Sequence, residues 1–150
     1  MKGYFEIGIC NGKNTMNVGT LWRSAYQLGA TGIFTIGKRL PLQASDTYKT
    51  CRQIPLREYL TIEQFLENRP FDCQLIGVEM DGKPISGFTH PARALYVLGA
   101  EDQGLPQSLI EKCDHIITLD AIRRPSFNVA VAGSIVMYHR VFNLKGVGNG

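Results

Sequence analysis

The segment "ALYVLGAEDQGLP", residues 94–106, decides how the rest of this chain is read. Its first seven residues are almost wholly apolar and predict a strand buried on both faces. That strand runs into Gly99, then Glu101, Asp102, Gly104 and Pro106. Two meanings fit such an ending. Glycines at a strand end let backbone approach a ligand closely, and they equally serve a tight strand-to-helix turn. The segments on either side have to choose.

Outward from it, strand and helix patterns alternate. "YFEIGIC" (4–10), "GIFTIG" (32–37), "CQLIGVEM" (73–80) and "HIITLD" (115–120) predict further strands. "NVGTLWRSAYQL" (17–28) predicts a helix with Asn17 at its N-cap and Gly29 at its end. "TIEQFLENR" opens with the capping pattern Thr61-x-x-Gln64, and Pro106 begins a short helix. The last element is carried by "RRPSFNVAVAGSIVMYHR" (123–140), a helix from Ser126 onward that is apolar nearly all round. Such a helix should be buried on several sides, so its polar opening must meet something other than bulk water. Apolar strands alternating with helices predict an α/β domain with a mostly parallel sheet and helices on both faces. Ligands bind beyond the carboxyl ends of strands in such sheets, here the loops after Cys10, Val78, Leu98 and Leu119.

Composition sets the frame. The 150 residues make one domain, 1–150, and 44% hydrophobic with 19% charged residues fits a soluble globular chain rather than a disordered one. The apolar runs are too short to span a bilayer, and the N-terminus lacks the apolar stretch and cleavage site of a secretory signal, so a cytoplasmic location is expected. Cys10, Cys51, Cys73 and Cys113 are scattered, and His90, His115 and His139 make no ligand spacing with them. Reduced structural thiols and no metal are expected. The formal net charge of +3 permits nucleic-acid binding without requiring it. Between residues 38 and 57, however, Lys38, Arg39, Lys49, Arg52 and Arg57 face a single acid, Asp46. That segment is either a solvated basic loop or a polyanion contact.

Two nucleotide motifs are excluded. "GICNGKNT" places a lysine after a strand and a glycine, but three residues separate Gly8 from Gly12 and Asn14 follows Lys13, so a phosphate-cradling loop does not form. No strand ends in G-x-G-x-x-G. In the 17–28 helix, Leu21, Ala25 and Leu28 share one face and Thr20, Arg23 and Gln27 another, which alone describes a capped amphipathic helix with a surface arginine.

Taken together and in order, Asn17-x-Gly19-x-x-x-Arg23, Leu98-Gly99-x-Glu101-x-x-Gly104-Leu105 and Ser126-x-Asn128 before a small-residue apolar helix resemble the three motifs of the SpoU (TrmH) branch of the SPOUT RNA methyltransferases. The resemblance spans essentially the whole chain. It implies an α/β fold with a C-terminal deep trefoil knot, a departure from the rule that chains avoid knots. It also implies a homodimer, S-adenosylmethionine as cofactor, and methyl transfer to a ribose 2′-hydroxyl of RNA, with tRNA ahead of rRNA as substrate. By the same resemblance the cofactor lies near Val78, Leu98, Gly99, Gly104, Ile117, Leu119 and Ser126. Arg23, Asn17, Ser126, Asn128 and Glu101 make up the reaction centre. With no accessory domain in this sequence, Arg23, Lys38, Arg39, Arg52, Arg123 and Arg124 are the expected RNA contacts.

Arginine is a poor proton acceptor, its own pKa being about 12.5–13.8, so Arg23 is read first as an electrostatic group for phosphate and oxyanion. The third motif departs from the family pattern: "ITLDAIRRPSFN" lacks the usual proline and glycine, places Pro125 before Ser126 and runs one residue longer. Ala100 replaces a position that is often polar. Two other readings stand beside the enzyme: an RNA-binding protein of the same fold without activity, and a flavodoxin-like nucleotide-binding domain.

Overall fold

The computed structural model describes residues 3–38, 53–100 and 102–143. In chain order it contains β1 (Tyr4–Cys10), α1 (Thr15–Gln27), β2 (Gly32–Ile36), β3 (Leu56–Tyr59), α2 (Ile62–Asn68), β4 (Gln74–Pro84), β5 (Arg93–Gly99), α3 (Gln107–Ile110), β6 (His115–Thr118) and α4 (Val129–Phe142), with a 3-10 turn at Ile85–Gly87. The six strands form one sheet in the order β3-β2-β1-β5-β4-β6. Every strand pairing is parallel.

Period-two alternation divides the central strands between two cores. Phe5, Ile7 and Ile9 of β1 and Ala94, Tyr96 and Leu98 of β5 face the side covered by α1 and α4. Leu95 and Val97 face the other side, with Phe34, Phe65 of α2 and Leu109 of α3. Each such Leu, Ile or Phe contributes about 1.5–3 kcal/mol through burial. A sheet buried on both faces explains why its central strands are continuously apolar.

Four boundaries differ from the sequence expectation. Asn14, not Asn17, caps α1, its side chain accepting from Met16 N–H at 2.7 Å, so the helix starts two residues earlier. α4 starts at Val129 rather than Ser126, with Asn128 as its cap, accepting from the N–H groups of Ala130 and Val131 at 2.9 and 3.2 Å. β3 occupies residues that read as the end of a basic loop. Its Arg57 pairs at 2.7 Å with the buried Glu6, which withdraws that arginine from the free basic set. β4 runs to Pro84, pairing a second time with β6 at Lys83 and Pro84 after an irregularity.

The small residues of α4 also act closer to home than expected. Gly133 lets α1 approach so closely that an added Cβ would sit 2.5 Å from Leu21 Cδ1. Ser134 Oγ donates to the Ala130 carbonyl at 2.8 Å and lies 2.9 Å from Ser24 Oγ, from which it accepts across the same contact. Beside its contact with α1, α4 leaves Val131, Ile135, Tyr138 and Phe142 exposed. Among the described residues no helix is long and apolar enough to cross a membrane.

Candidate active site at the carboxyl ends of the strands

β5 ends where its sequence turns polar, and the chain there folds back tightly. Gly104 N–H donates to the Ala100 carbonyl at 2.8 Å, and Gly104 has φ of +67°. A Cβ on Gly99 would lie 2.2 Å from the Gly104 carbonyl carbon. The turn also forms one wall of a cavity of about 270 Å³, just under the ~300–1,000 Å³ of typical ligand pockets.

The cavity draws on all three strand ends and on the loop before α4. Leu98, Leu119, Val129 and Ala132 give it a buried apolar floor. Glu79, Asp102, Thr118 and Ser126 give it a polar edge. Of the residues singled out from the sequence for cofactor binding, Val78, Leu98, Gly99, Gly104, Leu119 and Ser126 line it. Ile117 does not: it is fully buried in β6 within the core beneath. Glu101 lies outside the described residues.

A second cavity, also about 270 Å³, adjoins the first through Ala100, Asp102 and Val129. Its outer side is polar, with Lys13, Asn14 and Asn17 from the start of α1. Lys13 Nζ and Asp102 Oδ2 are 2.7 Å apart, so an exposed ion pair joins the loop after β1 to the loop after β5. Lys13 holds the Asp102 carboxyl below its ordinary value, mainly through that hydrogen bond. Asn128 Nδ2 donates to Asn17 Oδ1 at 3.1 Å while its own Oδ1 caps α4. The first and third motifs, 111 residues apart, are thus joined by one side-chain hydrogen bond.

Arg23 lines neither cavity. It is exposed on α1, one turn beyond Thr20, which borders an apolar groove between α1 and α4. Arg123 and Arg124 are exposed in the loop that carries Ser126, and Lys38 is exposed after β2. Arg39 and Arg52, with Lys49 and Cys51, lie outside the described residues. Three side chains at the site are fixed by none of the three motifs: Glu79, Lys13 and Asp102. The ending of "CQLIGVEM" held the first clue, an acid directly after an apolar strand. Lys13 reads in the sequence only as the lysine of an incomplete phosphate loop. The described cysteines are ordinary core thiols; burial raises Cys10 and Cys113 to about 11, far from a reactive thiolate.

A family model described as the SpoU rRNA Methylase family matches residues 5–138. The chain belongs to that family. Its SpoU character extends to an uncharacterised tRNA/rRNA methyltransferase of Archaeoglobus fulgidus, 21% identical over 142 residues, which cover 91% of this chain and 63% of that protein. The chain therefore spans about three fifths of the length of this curated relative. Among solved structures, it is similar to the SpoU methyltransferase AviRb of Streptomyces viridochromogenes in complex with the cofactor AdoMet. There the TM-score is 0.81 and identity 19%, covering 92% of this chain and 59% of that one. A structure bearing on the 2-OH methylation of C/U34 on tRNA superposes with TM-score 0.80 at 18% identity, covering 93% of this chain and 95% of that one. These likenesses establish the SpoU methyltransferase fold.

Proposed function

We propose that this SpoU protein is an S-adenosylmethionine-dependent RNA methyltransferase acting on a ribose 2′-hydroxyl, with tRNA as the first substrate to try. One observation carries the reading: all three motifs meet around two adjoining cavities, tied by the Asn17–Asn128 hydrogen bond. The first cavity fits an adenosine cofactor. Its apolar floor suits a purine, and its acidic edge suits a cationic sulfonium and a ribose diol. When bound, S-adenosylmethionine supplies an activated methyl group for in-line displacement.

The chain's own residues then have modest work. Gly99 and Gly104 let the turn after β5 close on itself and on Glu79, which shapes the wall of the cavity. Asn128 and Asn17 fix the loop before α4 against the start of α1, so that Ser126 faces the first cavity while Asn17 faces the second. The acceptor nucleotide occupies the second cavity, where positioning alone is worth several kcal/mol of the barrier. Lys13 exchanges Asp102 for a phosphate there. Arg23 stabilises the developing oxyanion.

The exposed apolar stripe of α4 is the surface on which a second copy docks. Its groove with α1 has a volume of about 530 Å³ and takes in Leu28, Val131, Ile135 and Tyr138. Arg23 flanks that groove one turn from Thr20, a place from which it is offered to the partner's site. α4 also crosses back from the edge strand β6 to pack over β1 and β5, a path compatible with a trefoil-knotted C-terminal part. Arg123, Arg124 and Lys38 supply phosphate contacts, and affinity for RNA falls with salt.

Calorimetric titration with S-adenosylmethionine and S-adenosylhomocysteine tests the cofactor reading. The expected result is one site per subunit, abolished by Gly99→Arg. Absence of binding, with bulk tRNA present as well as without it, would leave an RNA-binding protein of this fold.

A further inference from the structure

Glu79 lies on the wall of the first cavity, directly after Val78 on β4, and is half-buried there. Its Oε1 accepts a hydrogen bond from Leu105 N–H at 2.5 Å, across the turn that ends β5. The turn is shaped around this carboxylate. A Cβ on Gly104 would sit 2.7 Å from Oε1 and 3.1 Å from Oε2, and Gly104 has the positive φ that keeps it clear. One oxygen is therefore accounted for. The other, Oε2, accepts no hydrogen bond from any described residue and has no cation beside it.

An unpaired carboxylate oxygen held at the rim of an apolar-floored cavity is costly unless a ligand or water donates to it. The donor that suits it best is a hydroxyl. Asp102 is the other described acid on this wall, and Lys13 already occupies it. Thr118 and Ser126 offer hydroxyls rather than a charged acceptor. In dinucleotide-binding sheets, an acidic side chain beyond a strand end reads a ribose hydroxyl in the same chemical way.

We propose that Glu79 is the ribose-reading group of the cofactor cavity: Oε1 holds the β5 turn, and Oε2 accepts a hydrogen bond from a ribose hydroxyl of the adenosyl ligand. This rests on the cavity being the S-adenosylmethionine site. Glu79 then makes the site selective for a ribonucleoside over a deoxyribonucleoside cofactor, and it couples ligand binding to the position of the turn.

The test is a calorimetric comparison of S-adenosylhomocysteine with its 2′-deoxy and 3′-deoxy forms, on the wild-type protein and on Glu79→Gln. Wild-type protein should bind at least one deoxy form about tenfold more weakly, the worth of a hydrogen bond to a charged group. Glu79→Gln keeps a carbonyl for Leu105 N–H. It should bind S-adenosylhomocysteine about tenfold more weakly and tell it from that deoxy form by less than about twofold. Equal wild-type affinity for all three ligands overturns the assignment. So does a Glu79→Gln loss that is the same for all three, the mark of a turn clamp alone. Should Glu79→Gln fail to fold, the wild-type series decides by itself. No wild-type binding of any of the three, or of S-adenosylmethionine, is a different failure: it removes the cofactor reading of the cavity, and this assignment with it.

Discussion

At its amino end β5 starts beneath Arg140, a buried guanidinium that donates to the carbonyls of Pro91 and Ala92 at 2.7 and 2.9 Å and to the Tyr96 hydroxyl at 3.0 Å. Tyr96 in turn meets His90 Nδ1 at 2.6 Å, and His90 Nε2 meets His139 Nδ1 at 2.8 Å. Asn143 Nδ2 donates to His139 Nε2 at 2.9 Å, so neutral His139 donates from Nδ1 to His90 Nε2, and His90 donates from Nδ1 to the Tyr96 oxygen, which also accepts from Arg140. At its carboxyl end the same strand runs into Gly99 and a wall where Glu79 Oε2 has no partner among the described residues. Polar groups are quenched at one end and kept available at the other. Both described histidines of that relay sit at the end away from the motifs. The comparison separates polar residues that hold the fold from those proposed to meet a ligand.

Substitutions at the two ends should therefore fail in different ways. Arg140→Ala removes three hydrogen bonds and a packed guanidinium, and should cost about 3 kcal/mol in a denaturant titration while cofactor affinity per folded molecule stays within about twofold. Acid should act through the same end. Burial, with the His139 and Arg140 charges adding to it, lowers His90 from 6.5 to about 3. Its contribution to stability is then complete above pH 6.5 and is lost as pH falls from 6.5 toward 3. Denaturation midpoints at pH 7.5 and 5 should differ less in His90→Asn than in the native chain.

Asn128→Ala stands between the two ends in kind. Loss of the α4 cap should cost about 1 kcal/mol, and release of Asn17 should lower methyl transfer beyond that stability loss. Lys13→Ala should leave stability within about 0.5 kcal/mol, because its ion pair is exposed. It should raise KM for RNA several-fold and reduce the salt slope of RNA binding by about one. A large stability effect from Lys13, or a cofactor effect from Arg140, would break the comparison.

The sheet was legible because its central strands are apolar on both faces, and β1 is read residue for residue. The caps were harder. Asn14 and Asn17 stand three residues apart, either can cap, and only the chain's path after β1 decides for Asn14. The start of α4 was hard for the same reason: Ser126 and Asn128 are both cap-type residues, and Asn128 takes the position. β3 is a four-residue edge strand with exposed Arg57 and Glu58, and nothing in its pattern separates it from a loop. The small residues of α4 advertised close packing but not with what; Leu21 of the same chain is the answer for Gly133. Most of the cavity wall could be read from motifs that lie at strand ends. Glu79 could not, because a single acid acquires meaning only when the Gly104 turn folds onto it. Ile117 differs in kind: it stands near a strand end, but its side chain points into the core.

The central claim is tested most directly by incubating the protein with methyl-labelled S-adenosylmethionine and total tRNA or rRNA, then digesting the RNA to nucleosides. Label in 2′-O-methylnucleosides, reduced about 100-fold by Arg23→Ala, is the predicted result. Label in methylated bases, or no label in either RNA from a protein that binds the cofactor, would contradict it.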